Sequence, residues 1–429
     1  MNKNILHITH SFFPNRGWSE TLIVPILKNH TNSYNTYLIT LSTEDSFIQY
    51  EGINVYTIKY QDNISLIYEK FLNILNEIKP NLILFHCYNI LAEINLVHTI
   101  RNSYKNIRIL FMYHHPSVTC LRGDLIQYGE KVCDGKVAPN KCTSCFAHYL
   151  GLPKILSQSL AYMPSTKKKI KGIPNVINTI ITLKSSVENT IKNKIIFYKS
   201  LDYIITLNEW SKKQLVLNDI ALENIITIPI ALPISNIEED NLPIPTPTIQ
   251  EANYLKLIYV GRLSKEKGVH NVIQAISQLN DQCKILFDVY GVYGNDTKYN
   301  DYLTKTIEKV DGVFYKGILN DKLVVKTMMQ YDIVIVSSIT SETGPLTVLE
   351  GFAAHKFVLG TNVNGINEMI EDGKNGYLVN FNDVNDWKNK ILKIYRDKTF
   401  YTNKEISLPQ KRIFLNFINE LNNFINKII

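Results

Sequence analysis

The chain has 429 residues, of which 45% are hydrophobic and 20% charged, a composition that excludes disordered and fibrous classes. Its net charge of +7 is mild for this length, so it permits an anionic partner and gives no indication of nucleic acid. No apolar run approaches the ~20 residues of a membrane-spanning helix, and the first residues lack a signal-peptide cleavage site, so we expect a cytoplasmic protein.

The first half of the chain alternates predicted strands with predicted helices. A strand at 4–9 is followed by a helical pattern that Ser19 can cap, and another helix is predicted near 66–77. Such alternation favours parallel strands covered by helices. Residues 114–185 interrupt the rhythm with cysteines, a Tyr/Leu-rich stretch and a basic run. Further strands are predicted at 36–40, 82–85, 107–112, 202–206 and 225–228.

A proline-rich stretch at 233–252 predicts a linker between two domains, 1–232 and 253–404. The second domain resumes the alternation with strands near 255–260, 285–290, 313–315 and 332–336. The last residues, 405–429, carry apolar side chains at three- and four-residue steps, which is typical of an amphipathic helix that packs on another surface. The predicted fold class is therefore α/β, with two units and ligands at the carboxyl ends of strands.

A basic loop bounded by glycines follows the strand at 255–260. Gly261 and Gly268 allow the backbone to turn tightly, and Arg262 and Lys267 bring two cations to the entrance of the next predicted helix. A guanidinium fork, an ammonium group and unpaired helix amides together suit a diphosphate. Taken alone, the segment is equally consistent with a solvated basic loop.

A second motif, Glu342-Thr-Gly-Pro-Leu-Thr-Val-Leu-Glu350, connects the strand at 332–336 to a helix predicted to start at Pro345. The backbone N–H groups at such a helix start attract anions. Glu350 lies among apolar residues, where an unpaired charge is costly, so its carboxylate needs donors such as sugar hydroxyls. The structural alternative for the two glutamates is a helix cap and a buried ion pair.

These motifs, together with Asn364-Gly-Ile-Asn-Glu368 and Asn375-Gly-Tyr-Leu-Val379, resemble those of the family 4 glycosyltransferases, which are retaining enzymes of the GT-B fold. The resemblance is specific over 254–396 and looser in the first half. It implies two facing Rossmann-like domains with a cleft between them and a terminal helix that returns to the first domain. It also implies a nucleotide-diphosphate sugar as donor and a glycan or lipid-linked acceptor, as in surface polysaccharide or lipopolysaccharide synthesis.

The resemblance implies roles for individual residues of the motifs. Arg262 and Lys267 would hold the pyrophosphate and stabilise the leaving nucleotide diphosphate. Glu342 would accept hydrogen bonds from the donor sugar, and Glu350 would bind the ribose. Because cations and a helix start can replace a metal, and no Asp-x-Asp signature stands near a strand end, no cofactor is expected for catalysis. The other donor-binding positions would be Gly17, Gly261, Gly344, Pro345 and Leu346.

Two positions of the first half also match the family. Gly17 corresponds to the glycine-rich loop beside the donor phosphates, although Trp18 stands where a second glycine is usual and narrows the approach. His114 follows the strand at 107–112, where the family often has a histidine near the reacting centre. His115 is a rival for that role, and a structural loop histidine is the alternative for both.

Four cysteines of the first half have a spacing that suits a structural zinc ion. Cys142 and Cys145 have the separation of a zinc knuckle, whereas the first pair is too far apart for a second knuckle. Free buried thiols, or a disulfide or redox pair, are the alternatives. The four residues are Cys120, Cys133, Cys142 and Cys145.

A lysine-rich run at 167–171 predicts contact with an anionic membrane, at about 1 kcal/mol for each basic residue near the surface, with a solvated face as the alternative. The function that the resemblance implies is a metal-independent retaining glycosyltransferase. Two alternatives stay open at this point. One is a sugar-nucleotide epimerase of the same fold, and the other is a non-catalytic module that binds a nucleotide sugar or a membrane.

Overall fold

The chain divides into two compact units, the first made of Met1–Pro233 and Phe414–Ile429 and the second of Ile234–Ile413. The division falls at the beginning of the proline-rich stretch, of which residues 233–243 and 252 lie outside the described residues. The structure is a computed structural model, and it describes residues 3–9, 12, 18–86, 94–116, 119–167, 174–232, 244–251, 253–279, 282–402 and 414–429.

The first unit is organised around a large parallel sheet. The strands of the first unit are β1 (Asn4–Ile8), β2 (Asn35–Ser42), β3 (Ser46–Tyr50), β4 (Ile53–Lys59), β5 (Leu82–Phe85), β6 (Arg108–Tyr113), β7 (Ile126–Gln127), β8 (Lys131–Val132), β9 (Tyr203–Thr206) and β10 (Ile225–Thr227). Eight of these strands pair in the order β10-β9-β6-β5-β1-β2-β4-β3, and β7 and β8 form a separate two-stranded sheet. All neighbours in the large sheet are parallel except β3 and β4.

Several helices of the first unit pack on this sheet through a stripe of apolar side chains. In helix α2 (Ile64–Ile78), Asn63 accepts a hydrogen bond from the Ser65 N–H at the start, and Ile67, Phe71 and Leu75 recur at four-residue steps on the buried face. Burial of each such side chain stabilises the fold by about 1.5–3 kcal/mol. The helices are α1 (Trp18–His30), α2 (Ile64–Ile78), α3 (Ile94–Ser103), α4 (Pro139–Tyr149), α5 (Lys154–Tyr162), α6 (Asn175–Lys199) and α7 (Glu209–Leu217).

The segment 114–185, which interrupts the predicted alternation of strands and helices, is largely helical where the structure describes it. It contains the β7–β8 hairpin, α4, α5 and the first part of α6. These helices enclose a small core of their own, in which α6 contributes side chains at four-residue steps. The buried residues of this core are Ala147, Leu160, Leu183, Val187 and Ile191.

The second unit contains a six-stranded parallel sheet. Its strands are β11 (Leu255–Val260), β12 (Ile285–Tyr290), β13 (Val313–Tyr315), β14 (Ile333–Val336), β15 (Phe357–Thr361) and β16 (Gly376–Val379). Its helices are α8 (Val269–Ser277), α9 (Thr297–Glu308), α10 (Val324–Met328), α11 (Leu346–Ala353), α12 (Val384–Arg396) and α13 (Thr399–Thr402). The strands pair in the order β13-β12-β11-β14-β15-β16.

This strand order positions the site. The chain proceeds from β11 outward to β12 and β13, and it then returns to β14 on the other side of β11. In open parallel sheets, ligands bind outside the carboxyl ends of the strands where the order reverses. The loops that follow β11 and β14 flank this switch point, and they contain the two motifs found in the sequence.

The terminal helix α14 (Phe414–Ile428) belongs to the first unit. Its C-terminus is held by Lys3 Nζ, which donates to the carbonyl of Ile429 at 2.9 Å, and by Arg108 Nε, which donates to the carbonyl of Ile428 at 3.1 Å. Neither α14 nor any other helix of the described residues is long and apolar enough to cross a membrane. The buried face of α14 consists of Phe417, Ile418, Leu421 and Ile425.

Candidate functional site

Two loops are joined at the switch point of the second unit. Ser337, which follows β14, donates through Oγ to the carbonyl of Lys267 at 2.7 Å. The Ile339 N–H donates to the carbonyl of Glu266 at 2.9 Å. The loop that follows β11 is therefore fastened to the loop that leads to α11, although 70 residues separate Ser337 from Lys267.

Gly268 allows the close approach of these loops. Its φ of 65° lies in the left-handed region, and a Cβ at this position would lie only 2.2 Å from the Ser337 carbonyl oxygen. A larger residue would push the two loops apart. The predicted need for glycine at this position thus has a specific cause, which is contact with the end of β14.

Lys267 and Glu342 are brought together by this junction. Lys267 Nζ lies 2.5 Å from Glu342 Oε1, and the two side chains are 24% and 13% exposed. This contact is an ion pair, as in the structural alternative that the sequence offers for Glu342, but both of its side chains are partly exposed. It also places one cation and one carboxylate side by side at the point where a ligand is expected.

Arg262 lies on the same loop with an exposed side chain. The backbone of Arg262 is fixed by a hydrogen bond, because the hydroxyl of the buried Tyr259 donates to the Arg262 carbonyl at 2.9 Å. A Cβ on Gly261 would lie 2.9 Å from that hydroxyl oxygen, so glycine lets the loop pass over the tyrosine. The guanidinium is thus presented to solvent on a backbone that is held in place.

The helix start predicted at Pro345 begins one residue later. Pro345 is the N-cap of α11, and the first helical residue is Leu346. Gly344, Pro345 and Leu346 are all buried, so the backbone at this helix start is enclosed by protein. The preceding loop is held by Glu342, whose N–H donates to the carbonyl of Asn364 at 2.9 Å. The motif that begins at Asn364 therefore supports the loop that carries Glu342.

Glu350 lies in the second turn of α11 with a partly exposed side chain. Burial and, next, the nearby Asp321 carboxylate raise the pKa of Glu350 to about 7. The carboxylate is thus close to half protonated at neutral pH. Hydroxyl groups of a ligand would stabilise the charged form by donating hydrogen bonds to it. This agrees with the sequence argument that a carboxylate among apolar residues needs donors.

The predicted residues of the first unit are described only in part. Gly17 lies outside the described residues. His114 follows β6 directly and is buried, and its burial lowers the pKa to about 4, so the ring is neutral at physiological pH. His115 is exposed, and its ring lies against Gly123.

Three further histidines, which the sequence analysis does not single out, form a buried row with His114. His30 Nδ1 lies 3.1 Å from His7 Nε2, His7 Nδ1 lies 2.8 Å from His86 Nε2, and His86 Nδ1 lies 3.2 Å from His114 Nε2. All four rings are buried. This histidine row extends from the end of α1, across β1 and the end of β5, to the end of β6.

The four cysteines of the insert line one cavity and are free thiols. Burial raises the pKa of Cys120, Cys133 and Cys142, so these thiols are protonated near neutral pH. Cys145 Sγ accepts a hydrogen bond from the Tyr128 N–H at 3.3 Å. Among the described residues, no three His, Cys, Asp or Glu side chains are arranged to hold a metal ion. Zinc at these cysteines stays a prediction.

Comparison with solved structures establishes the fold. The chain has the GT-B fold, and it aligns over nearly its whole length with solved structures of that fold. The Anabaena protein Alr3699/HepE in complex with UDP-glucose matches with a TM-score of 0.65 and 14% identity, over 99% of each chain. Sucrose-phosphate synthase from Thermosynechococcus elongatus matches with a TM-score of 0.67 and 14% identity, over 99% of each chain. At this identity the likeness establishes the fold alone.

Part of the chain, within the second unit, also matches a protein family model. Residues 247–407, which contain both switch-point loops, match the family model "Glycosyl transferases group 1". An uncharacterized glycosyltransferase of Methanocaldococcus jannaschii is 28% identical over 206 residues, which are 46% of this chain and 50% of the relative. The putative colanic acid biosynthesis glycosyltransferase WcaL of Escherichia coli is 28% identical over 146 residues, 33% of this chain and 36% of the relative. The chain thus spans half or less of the length of these curated relatives.

Proposed function

We propose that this protein is a retaining glycosyltransferase that moves a sugar from a nucleotide-diphosphate sugar to a glycan or lipid-linked acceptor in cell-surface polysaccharide synthesis. The observation that carries the proposal is the contact of Lys267 with Glu342 beside the start of α11. Lys267 supplies a cation that can bind phosphate, and Glu342 supplies a carboxylate that can accept from sugar hydroxyls. The start of α11 adds backbone N–H groups that attract an anion. The family match, the UDP-glucose complex of the Anabaena protein and the name of the Escherichia coli relative support this proposal.

Donor binding would exchange the partner of Lys267. Without a donor, the ammonium group is paired with Glu342, so neither charge is buried in the loop without compensation. A diphosphate at the switch point offers Lys267 a more highly charged partner, and Arg262 adds a second cation that is exposed on the same loop. Glu342 is then released to accept hydrogen bonds from the hydroxyl groups of the donor sugar.

The transfer step develops negative charge on the diphosphate. The bond from the sugar carbon to the phosphate oxygen breaks while the acceptor oxygen bonds to that carbon on the same face. The acceptor proton passes to the departing diphosphate. Arg262, Lys267 and the N–H groups at the start of α11 stabilise this charge as it forms. Because these groups supply the positive charge, the proposed step needs no metal or other cofactor.

Glu350 is proposed to bind the ribose hydroxyls of the donor. Its raised pKa leaves the carboxylate poorly stabilised in the absence of a ligand. Two hydroxyl donors would favour the charged form and hold the nucleotide against α11. Binding at this residue therefore couples nucleotide affinity to the protonation state of Glu350.

A screen of nucleotide sugars tests the proposal. Purified protein is first examined by thermal shift with each donor, and it is then incubated with the stabilising donors and a membrane extract that contains acceptors. We expect release of a nucleoside diphosphate together with a glycosylated product. An epimerised nucleotide sugar without released diphosphate would replace the transferase by the epimerase. Binding of a donor without any turnover would favour the non-catalytic module.

A peripheral membrane contact is proposed for the first unit. Helix α5 exposes Ile155 and Tyr162, seven residues apart on one face, at 77% and 78% exposure. Leu156 and Met163 are also exposed beside them. Lys154, at the start of the helix, is in an ion pair with Glu130, and Lys167 is exposed beyond the end of the helix. Residues 168–171 of the basic run lie outside the described residues. An apolar face with flanking lysines suits the interface of an anionic bilayer, where lipid-linked acceptors reside.

Vesicle sedimentation tests this contact. The protein is expected to sediment with vesicles that contain phosphatidylglycerol and to stay in the supernatant with pure phosphatidylcholine. Ile155→Asp should abolish the sedimentation. Ile318→Asp is the matched control, because Ile318 is 72% exposed but belongs to the second unit. Equal sedimentation of the Ile155→Asp variant and the unmodified protein would contradict the proposal.

A further inference from the structure

The β14–α11 loop, residues 337–345, carries Glu342 and is held on two sides. Its strand, β14, lies between β11 and β15 in the parallel sheet, so the carboxyl ends of the three strands are side by side. On the side of β11, Ser337 and Ile339 join it to the basic loop. On the side of β15, it is joined to Asn364, which follows that strand. Glu342 therefore lies in a segment that the loops of both neighbouring strands fix.

Asn364 holds the β14–α11 loop at two consecutive residues. Its backbone carbonyl accepts from the Glu342 N–H at 2.9 Å, and its side-chain Nδ2 donates to Ser341 Oγ at 3.3 Å. Because Ser341 is buried, water competes little for its hydroxyl group. Any residue at this position could supply the backbone carbonyl, whereas the second bond needs a side-chain donor.

These bonds are separate from the ion pair. Lys267 contacts the Glu342 carboxylate from the loop that follows β11, whereas Asn364 contacts the Glu342 backbone from the loop that follows β15. In the proposed exchange, Lys267 leaves the carboxylate for the diphosphate of the donor. The bonds made by Asn364 involve neither the ammonium group nor the carboxylate, so the exchange does not break them.

We infer that Asn364 is a positioning residue that holds Ser341 and Glu342 independently of the ion pair, so that the Glu342 carboxylate keeps its position when Lys267 binds the donor diphosphate. This role rests on the proposed function, because it concerns the state in which Glu342 accepts hydrogen bonds from sugar hydroxyls. A loop that was free in that state would have to be ordered by the donor, and the lost conformational entropy would weaken binding. Asn364 orders the loop during folding.

Hydrogen exchange of the ligand-free protein tests whether the two contacts are independent, with the Glu342 amide as the reporter. Mass spectrometry with fragmentation resolves this amide within the β14–α11 loop. Lys267→Met, which removes the ion pair, should leave its exchange nearly unchanged. Addition of Asn364→Ala should accelerate the exchange by about 2–10-fold, the equilibrium equivalent of one hydrogen bond. Equal exchange in Lys267→Met with and without Asn364→Ala would overturn the inference, whatever the activity of the protein.

A matched control lies on the same loop as Asn364. The amide of Asn367 donates to Asn362 Oδ1 at 3.0 Å, so Asn367→Ala removes a hydrogen bond within that loop. In the same background it should leave the exchange of the reporter amide unchanged. If Asn364→Ala does not fold, Ser341→Ala removes the same bond from its other side and should accelerate the exchange equally. A folded Ser341→Ala variant that exchanges as slowly as the control would also overturn the inference.

Ligand binding distinguishes positioning from general support of the fold. A nucleoside diphosphate lacks the sugar that Glu342 is proposed to contact. Asn364→Ala should therefore weaken binding of the donor identified by the screen by about 2–10-fold and leave binding of its nucleoside diphosphate unchanged. Equal losses for both ligands would overturn the positioning role. A screen that finds no donor would contradict the proposed function, whereas hydrogen exchange tests the contacts of Asn364 in either case.

Discussion

The carboxyl ends of the two sheets hold their polar side chains by different means. In the second unit, Lys267 and Glu342 are charged, partly exposed and carried by loops at the switch point. In the first unit, the histidine row is neutral, buried and built on strand ends and on α1. The charged pair can change partner when an anion arrives, whereas the rings of the row already contact one another. We therefore propose that ligands bind at the loops of the second unit.

The largest expected effect comes from removing the cation of the loops. Lys267→Met should lower turnover of the donor by about 10²–10³-fold, because the charge that develops on the leaving diphosphate loses one of its two stabilising cations. The measurement is the rate of nucleoside diphosphate release. Lys212→Met is the control, since Lys212 pairs with Glu209 on α7 of the first unit. Equal rates for both variants would remove Lys267 from the proposed site.

A second variant tests whether the junction of the loops matters. Gly268→Ala should destabilise the second unit by about 1–3 kcal/mol and weaken donor binding, because its Cβ would clash with the Ser337 carbonyl. Gly317→Ala is the matched control, since Gly317 also has a positive φ, of 78°, but open space around it. Thermal unfolding and donor affinity measure both effects. A Gly268→Ala protein that binds the donor as tightly as the Gly317→Ala protein would contradict the role of the junction.

The sequence predicts the second unit well because its site is built from local motifs. Gly268 must be glycine to pass Ser337, and Pro345 must precede a helix, so each constraint leaves a mark within a few residues. The meeting of Lys267 and Glu342 follows once the two motifs are assigned to neighbouring strand ends of one sheet. The start of α11 differs from its predicted position by a single residue.

The histidine row, in contrast, has no local sequence motif. His7 lies in an apolar strand, His30 ends a helix and His86 follows another strand, and no spacing relates them. Only the parallel pairing of β1 with β5 and of β5 with β6 brings their ends together. The available signal was the presence of histidine at several strand ends on one edge of the predicted sheet. The helices of the insert are not predicted, although Leu183, Val187 and Ile191 of α6 recur at four-residue steps, which is a signal that the sequence carries.

A smaller effect is expected from pH. The pKa of Glu350 is raised to about 7 by burial and by Asp321, and ribose hydroxyls would lower it. Binding then releases a proton, so donor affinity should increase as the pH rises to about 7 and become constant above it. Glu350→Gln should bind more weakly and lose this dependence. Calorimetric titrations at several pH values measure it, and an affinity that falls as the pH rises would have the wrong sign.

The effect of Glu350 ionisation on the free energy of unfolding is also predicted, and its sign is opposite to that of a salt-bridged carboxylate. Its folded pKa lies above the usual value of 4.5, so the charged form is disfavoured by folding. Its unfavourable contribution appears as the pH rises from about 4.5 to about 7. At higher pH, Glu350→Gln should therefore raise the Tm of the ligand-free protein by about 2–6 °C. A lower Tm at that pH would indicate that the carboxylate makes a stabilising contact.

The smallest effect is expected from metal removal. Turnover should persist in excess chelator after brief exposure, because the positive charge at the switch point comes from Arg262, Lys267 and helix amides. Loss of turnover that magnesium restores would contradict this expectation. The zinc predicted at the four cysteines is tested separately by metal analysis of the purified protein. About one zinc per chain would support it, and its absence would exclude it.

The exchange of partners at Lys267 is the central claim, and one binding measurement tests it most directly. The nucleoside diphosphate of the donor identified by the screen is titrated calorimetrically into the unmodified protein and into Glu342→Gln. Since the ion pair competes with phosphate for Lys267, the account predicts that Glu342→Gln binds the nucleoside diphosphate several-fold more tightly while it turns the donor over more slowly. Equal or weaker binding by Glu342→Gln would contradict the exchange.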